Sequence, residues 1–310
     1  MHEVAIRMEG GLGDHLLANR FACSIREKYP HSNITLFSDT EGNDSSSKII
    51  SKLFPSFYDQ VEVIPSRKNR NYQITTQFGT ETYPADLNNL PDEFIEKFKK
   101  YDKFYDLHID SLKWLNQDFD WLRYYYFFPK PQIDLIKSSH NNYGKYILCH
   151  LYARPDSPYN LDQLYAIELI KRLSNITNIV IITQEPHLDF YKEIAHHKNI
   201  FITTPNLEEC FSLASECEIF IGIDSGIRYI PYHFSKPVFV FSKYCHKYGS
   251  VAPSHLIRWL IFNKNVFPMN FEIKIVERII NNCYENFSSQ LFPEYLENLD
   301  SIIVNRIPIQ

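Results

Sequence analysis

Apolar and polar positions follow two different periods along the chain, and the switches between them mark out strands and helices. Val4 to Met8 is a short apolar run that ends at Gly10-Gly11-Leu12-Gly13. From Asp14 the period lengthens. Leu16, Leu17, Phe21 and Ile25, with polar positions between them, suit an amphipathic helix that reaches about Tyr29 and stops at Pro30. Ile34 to Phe37, Val61 to Ile64 and Ile74 to Phe78 read as the next strands. Strands parted by helices of this length predict βαβ crossovers and a parallel sheet. Asp92 to Lys100 reads as a charged, exposed helix face.

The polar, turn-rich stretch Lys137 to Lys145 breaks this alternation, which then begins again. Tyr146 to His150, Asn178 to Thr183, Ile200 to Thr203, Glu218 to Ile223 and Pro237 to Phe241 read as strands. Leu161 to Leu173, Leu188 to Ala195 and Leu207 to Ser215 read as the helices between them. The pattern predicts two α/β domains of similar build, residues 1–140 and 141–310, with no detectable sequence repeat. In open parallel sheets, ligands bind beyond the carboxyl ends of the strands. Two such Rossmann-like domains facing a central cleft would place the 10–14 loop and the loops after His150, Thr183 and Ile223 around it.

Composition narrows the class. The chain has 310 residues, 44% hydrophobic and 22% charged, as expected of a globular protein with a sizeable core. A net charge of -5 carries no global basic footprint for nucleic acid. Arg67, Lys68 and Arg70 form one compact basic strip, which reads as a solvated loop or as a local nucleic-acid contact. The first residues lack a secretory signal, and no apolar run can cross a bilayer. A cytoplasmic protein is therefore expected, without stable membrane insertion. The six cysteines are scattered, with no zinc-binding spacing, and read as free thiols. Aromatic residues reach 15% and crowd the stretch from Tyr101 to Phe128, where core packing is their usual use.

Two loops can carry chemistry. In Glu9-Gly10-Gly11-Leu12-Gly13-Asp14-His15 the glycines let a ligand approach the backbone, and the helix start offers free N–H groups to an anion. Asp14 reads either as an N-cap or as a carboxylate at the cleft. Gly11-x-Gly13 after a strand, with Asp39 ending the next, also permits a dinucleotide reading, but the third glycine is missing. The second loop, Asp224-Ser225-Gly226, follows a buried strand and precedes a helical pattern. Such a turn suits a phosphate or a sugar hydroxyl, and Arg228 there can make a bidentate phosphate contact or lie in solvent. His15 and His150 face the expected cleft, whereas His196 and His197 stand on a polar helix. Asp118-Phe119-Asp120 is a D-x-D tripeptide, a carboxylate spacing that can hold a divalent metal, but it lies in the aromatic stretch and not in a suitable loop, so no metal site is expected.

The two loops in this order resemble glycosyltransferase family 9, the bacterial heptosyltransferases and their relatives. The matching residues are Gly10-Gly11-Leu12-Gly13-Asp14 and Asp224-Ser225-Gly226, with Lys236-Pro237-Val238 after the second. The resemblance implies a GT-B fold and an inverting, metal-independent transfer of a sugar from a nucleotide-diphosphate donor to an acceptor hydroxyl. It implies Asp14 as the base, Asp224 on the sugar, and Ser225 and Gly226 on the diphosphate. Arg154 is the nearest basic phosphate contact, and Thr183 and Gln184 would line the nucleotide pocket. Gly11, Gly13, His15 and His150 fall on the loop and acceptor side. The implied acceptor is a bacterial surface glycan or lipopolysaccharide precursor, with a protein or modified nucleic-acid base as an unusual alternative. Apart from the donor substrate, no cofactor is implied, and peripheral association with the inner membrane is compatible with such an acceptor. Tyr229 departs from the family's histidine, and Pro231 and Tyr232 replace small residues, so a heptose donor is not implied. The rivals are an NAD(P)-dependent oxidoreductase and a non-catalytic sugar-nucleotide-binding protein of the same fold.

Overall fold

A computed structural model describes residues 2–9, 12–39, 44–64, 72–76, 79–83, 96–106, 130–132, 143–153, 155, 157, 159–242, 266–269 and 271–286. The chain divides into two compact units, residues 1–270 and 271–310. The first unit carries two parallel sheets.

In the first sheet, β1 (Glu3–Glu9) lies between β2 (Asn33–Asp39) and β6 (Lys103–Asp106), with β3 (Gln60–Val63) outside β2. All these pairs are parallel. Alternate residues of β1 enter two cores. Val4, Ile6 and Met8 pack with Ala22 and Ile25 of α1 (Leu12–Lys28), while Ala5 packs on the other face with Phe37 and Phe98. Covering both faces is what a parallel sheet requires, and it explains why β1 reads as an apolar run. Phe98 corrects one expectation. Within the charged stretch from Asp92, of which residues 96–100 are described, it is buried edge-on against Phe37, with centroids 4.8 Å apart.

Ile74 to Phe78 was expected to join a parallel sheet. Instead β4 (Tyr72–Thr76) pairs antiparallel with β5 (Gly79–Tyr83) as a separate ribbon. The two residues between them allow a hairpin, whereas a parallel pairing needs a crossover of about a dozen residues or more. The sequence pattern did not single out β6 or α2 (Asp44–Leu53).

The second sheet has the order β12-β11-β10-β7-β8-β9, all parallel. Its strands are β7 (Tyr146–His150), β8 (Asn178–Ile182), β9 (Ile200–Thr203), β10 (Ile219–Ile223), β11 (Val238–Ser242) and β12 (Val266–Pro268). β7, β10 and β11 are buried at every residue. α3 (Gln163–Leu173) begins at an Asp162 cap, and α4 (Leu207–Glu216) begins at a reciprocal Asn206–Glu209 capping box. The expected helix from Leu188 to Ala195 is a 3₁₀ segment, Glu185–Ile194. Its buried residues, Tyr191 and Ile194, are spaced by three, which suits three residues per turn. The helix expected after Ser225 is two 3₁₀ turns, Gly226–Tyr229 and Pro231–Phe234, parted where Pro231 removes a backbone donor.

One apolar core joins the two sheets. Leu16 of α1 and Ile50 and Leu53 of α2, with Phe54, cluster with Phe211 of α4, Phe220 of β10 and Tyr229. Lys52 Nζ donates to Glu208 Oε1 across the same junction at 2.7 Å. In the second unit, α5 (Ile273–Asn286) buries Val276 and Ile280, one turn apart. The expected domain boundary near residue 140 lies outside the described residues.

Candidate functional site

Both sheets change direction at a central strand. β7 is followed by β8 on one side, and β10 lies on its other side, which makes the ends of β7 and β10 the switch point where open α/β sheets hold their ligands. β1, between β2 and β6, creates the same situation at the start of α1.

The turn after β10 is tight. Ser225 N–H donates to Ile223 O at 2.8 Å, reversing the chain within three residues. Ser225 precedes the Gly226–Tyr229 turn, where a serine usually accepts a backbone N–H. Here its side chain makes no such cap bond. Ser225 Oγ instead lies 3.0 Å from Nδ1 of His150, the last residue of β7. In the sheet register His150 faces Gly222, and a Cβ added to Gly222 would stand 3.1 Å from His150 O. His150 was expected on the acceptor side of the cleft. It belongs to the second sheet and is bonded to the 224–226 turn. Burial lowers its pKa from 6.5 to about 4, so the imidazole is neutral at pH 7.

Arg228 is neither in solvent nor free for a phosphate. It is buried, with Nη1 3.1 Å from Asp224 Oδ1 and Nη2 donating to Tyr229 Oη at 2.9 Å. Its guanidinium carbon lies 4.8 Å from the Tyr229 ring centroid. Burial works against the charged guanidinium, but Tyr229, Asp224 and Tyr232 outweigh it and hold the pKa above its ordinary value. Nε is buried without a hydrogen-bond partner. The tyrosine that departs from the family motif thus anchors Arg228.

The start of α1 meets this turn at backbone level. A Cβ on Gly226 would stand 2.8 Å from Gly13 N and 3.2 Å from Leu12 Cβ. A Cβ on Gly13 would fall 2.9 Å from two carbons of the Tyr229 ring. Both positions admit only hydrogen, and that allows the two loops to touch. Asp14 follows Gly13 in the first turn of α1; its side chain lies outside what the structure describes. His15, expected to face the cleft, is buried, and its Nε2 lies 2.7 Å from Ser38 Oγ on β2.

At the end of β8, Thr183 N–H donates to Thr203 O. The Thr183 hydroxyl is buried without a hydrogen-bond partner, and Gln184 beside it is exposed. The sequence reading passed over an aromatic group here. Tyr152, just past β7, lies 4.3 Å from Phe190 and 5.3 Å from His187 by ring centroids. Its only signal was an aromatic residue placed two positions after a strand. Gly10, Gly11, Arg154, Arg67, Lys68, Arg70 and the Asp118-Phe119-Asp120 tripeptide lie outside the described residues. Among the described residues, no three His, Cys, Asp or Glu side chains gather as a metal site, and Cys23, Cys149, Cys210, Cys217 and Cys283 are free. No described helix is long and apolar enough to cross a membrane.

No protein-family profile matches the chain, and no curated protein is similar to it in sequence. Solved structures do share its fold. The E. coli ADP-heptose LPS heptosyltransferase II is 12% identical and superimposes with a TM-score of 0.57, covering 93% of this chain and all of that one. A family 9 glycosyl transferase from Veillonella parvula is 12% identical with a TM-score of 0.54, covering 77% of this chain and 80% of that one. The E. coli heptosyltransferase WaaC, solved with ADP, is 14% identical with a TM-score of 0.52, covering 91% of this chain and 98% of that one. The chain has the fold of the family 9 heptosyltransferases, two parallel Rossmann-like α/β sheets of the GT-B type.

Proposed function

We propose that the chain is a glycosyltransferase that moves a sugar from a nucleotide-diphosphate donor to an acceptor hydroxyl, with inversion and without a metal. The observation that carries this reading is the meeting of Gly13 and Gly226, which sets the first turn of α1, where Asp14 stands, against the 224–226 turn. The GT-B fold and the ADP-bound state of one structure that shares it support the donor class. Asp14 takes the acceptor proton as the acceptor oxygen attacks the anomeric carbon. The bond from that carbon to the diphosphate oxygen breaks, and the nucleoside diphosphate leaves with the electron pair. Ser225 and Gly226 hold the diphosphate with Arg154 as a basic phosphate contact, and Thr183 and Gln184 line the nucleotide pocket. Asp224, fixed by Arg228, accepts hydrogen bonds from the sugar. A surface glycan or its lipid-linked precursor is the acceptor that the resemblance favours.

Thermal shift and titration with ADP, UDP, GDP, their sugar conjugates and NAD(P)(H) test this. A ligand at about 100 times its Kd raises stability by about 2.7 kcal/mol. A shift with one diphosphate and its sugar conjugate supports the transferase and identifies the donor class. Asp14→Asn should then keep donor binding and lose ~10²–10⁴ in turnover. A shift with nicotinamide cofactors alone overturns the reading in favour of the oxidoreductase. Donor binding without transfer, unaffected by Asp14→Asn, identifies a binding protein.

A further inference from the structure

We propose that His150 is a positioning residue that holds the Ser225 hydroxyl with its proton directed at the donor diphosphate, an assignment that rests on the 224–226 turn being the diphosphate seat. Ser225 stands where a serine normally caps a helix, yet it makes no cap bond, and its Oγ is drawn to His150 Nδ1 at 3.0 Å. The partner is well placed for this. His150 ends β7, the strand paired with β10, and in that register it lies opposite Gly222, three residues before Ser225. Its only titratable proton chemistry at neutral pH is a choice of tautomer, because burial keeps the ring uncharged.

That choice decides what the serine offers. A hydroxyl has one proton and two lone pairs. If Nδ1 accepted, the Ser225 proton would be used on the imidazole, and only lone pairs would face the ligand. A diphosphate oxygen is itself an acceptor, so the two would repel. With the proton on Nδ1, the imidazole donates to Ser225 Oγ and leaves the hydroxyl proton free for a phosphate oxygen. The Nδ1–H tautomer is therefore the one that makes the turn an anion site, and His150 is its source.

The test is titration calorimetry of ADP, UDP and GDP into the full chain and its variants. Losing a hydrogen bond to a charged group costs roughly ten- to a hundredfold in affinity. His150→Phe should weaken the best-bound diphosphate by about that factor. His150→Asn, whose amide nitrogen can stand near the place of Nδ1 and donate to Ser225, should restore most of it. Ser225→Ala should match His150→Phe, and the double variant should be no worse than either single one. The imidazole ¹⁵N spectrum of the wild type should show Nδ1 protonated. Unchanged affinity in His150→Phe or Ser225→Ala, additive losses in the double variant, loss equal in His150→Asn and His150→Phe, or an Nε2–H tautomer would each overturn the assignment. Wild-type protein that binds none of the three diphosphates overturns the donor reading itself and this inference with it.

Discussion

Acid should unfold this protein partly through one imidazole. In the folded chain His150 binds its proton only near pH 4, whereas an unfolded histidine does so at 6.5, and burial is the cause. A histidine with a depressed folded pKa contributes stability that is complete above the unfolded value and is lost as the pH falls toward the folded one. Each pH unit inside that window is worth about 1.36 kcal/mol, so acidifying to pH 5 should cost about 2 kcal/mol through His150 alone. The assay is the urea midpoint of the wild type and of His150→Asn, measured from pH 7.5 to pH 5. Any difference in packing between the asparagine and the imidazole is the same at every pH and enters as a constant offset. Carboxylates titrate in both proteins and cancel in the difference. The wild-type curve should therefore fall more steeply below pH 6.5, and the two stabilities should converge by about 2 kcal/mol at pH 5. Parallel curves through this window would refute the claim that His150 is held neutral by burial.

The packing of the site supports three further predictions. Gly226→Ala places a methyl group 2.8 Å from Gly13 N and should cost about 1–3 kcal/mol, seen as a lower melting temperature and weaker donor binding. Arg228→Met removes the partner of Asp224 and Tyr229 from a buried position. The expected loss in urea unfolding is about 3 kcal/mol, at the low end for a broken buried pair because the Asp224 side chain keeps 28% exposure. Asn206→Ala breaks the capping box of α4 and should cost about 1 kcal/mol in the same measurement, with donor affinity unchanged.

Much of the fold was legible along the chain because its central strands are buried on both faces. Tyr146 to His150 has the boundaries of β7, and the expected Asn178 to Thr183 and Glu218 to Ile223 differ from β8 and β10 by one residue at one end. The start of α1 was legible from the glycine turn and the change of period, and its end from Pro30. β6 escaped because four residues, Lys103–Asp106, lack a pattern of their own inside an aromatic stretch. α2 escaped because it opens on Asp44-Ser45-Ser46-Ser47, a polar run that reads as a loop. Phe98 shows the limit of charge patterning. Its charged neighbours Glu96, Lys97, Lys99 and Lys100 suggest a solvated face, yet the one large apolar ring among them covers Phe37.

The sequence by itself determined the buried central strands and the helices α1, α3 and α4, and which two loops carry glycine, carboxylate and hydroxyl groups. Those are local properties, set by side-chain period and by backbone freedom at glycine. Only the tertiary structure decided what those loops meet. His150 and Ser225 are 75 residues apart, and they touch because the crossovers lay β10 beside β7 instead of at the sheet edge. Gly13 lies in the helix after β1 and Gly226 in the turn after β10, strands of different sheets, and their contact depends on the shared core of Leu16, Phe54 and Phe211 that joins the two sheets. Arg228 was read as a phosphate ligand or a solvated residue. Its burial follows from Pro231, which breaks the helix into short turns, and from Tyr229, whose hydroxyl gives the guanidinium an acceptor in the interior. Strand order and inter-sheet packing are settled by apolar area that distant segments bury together, and no local period records that.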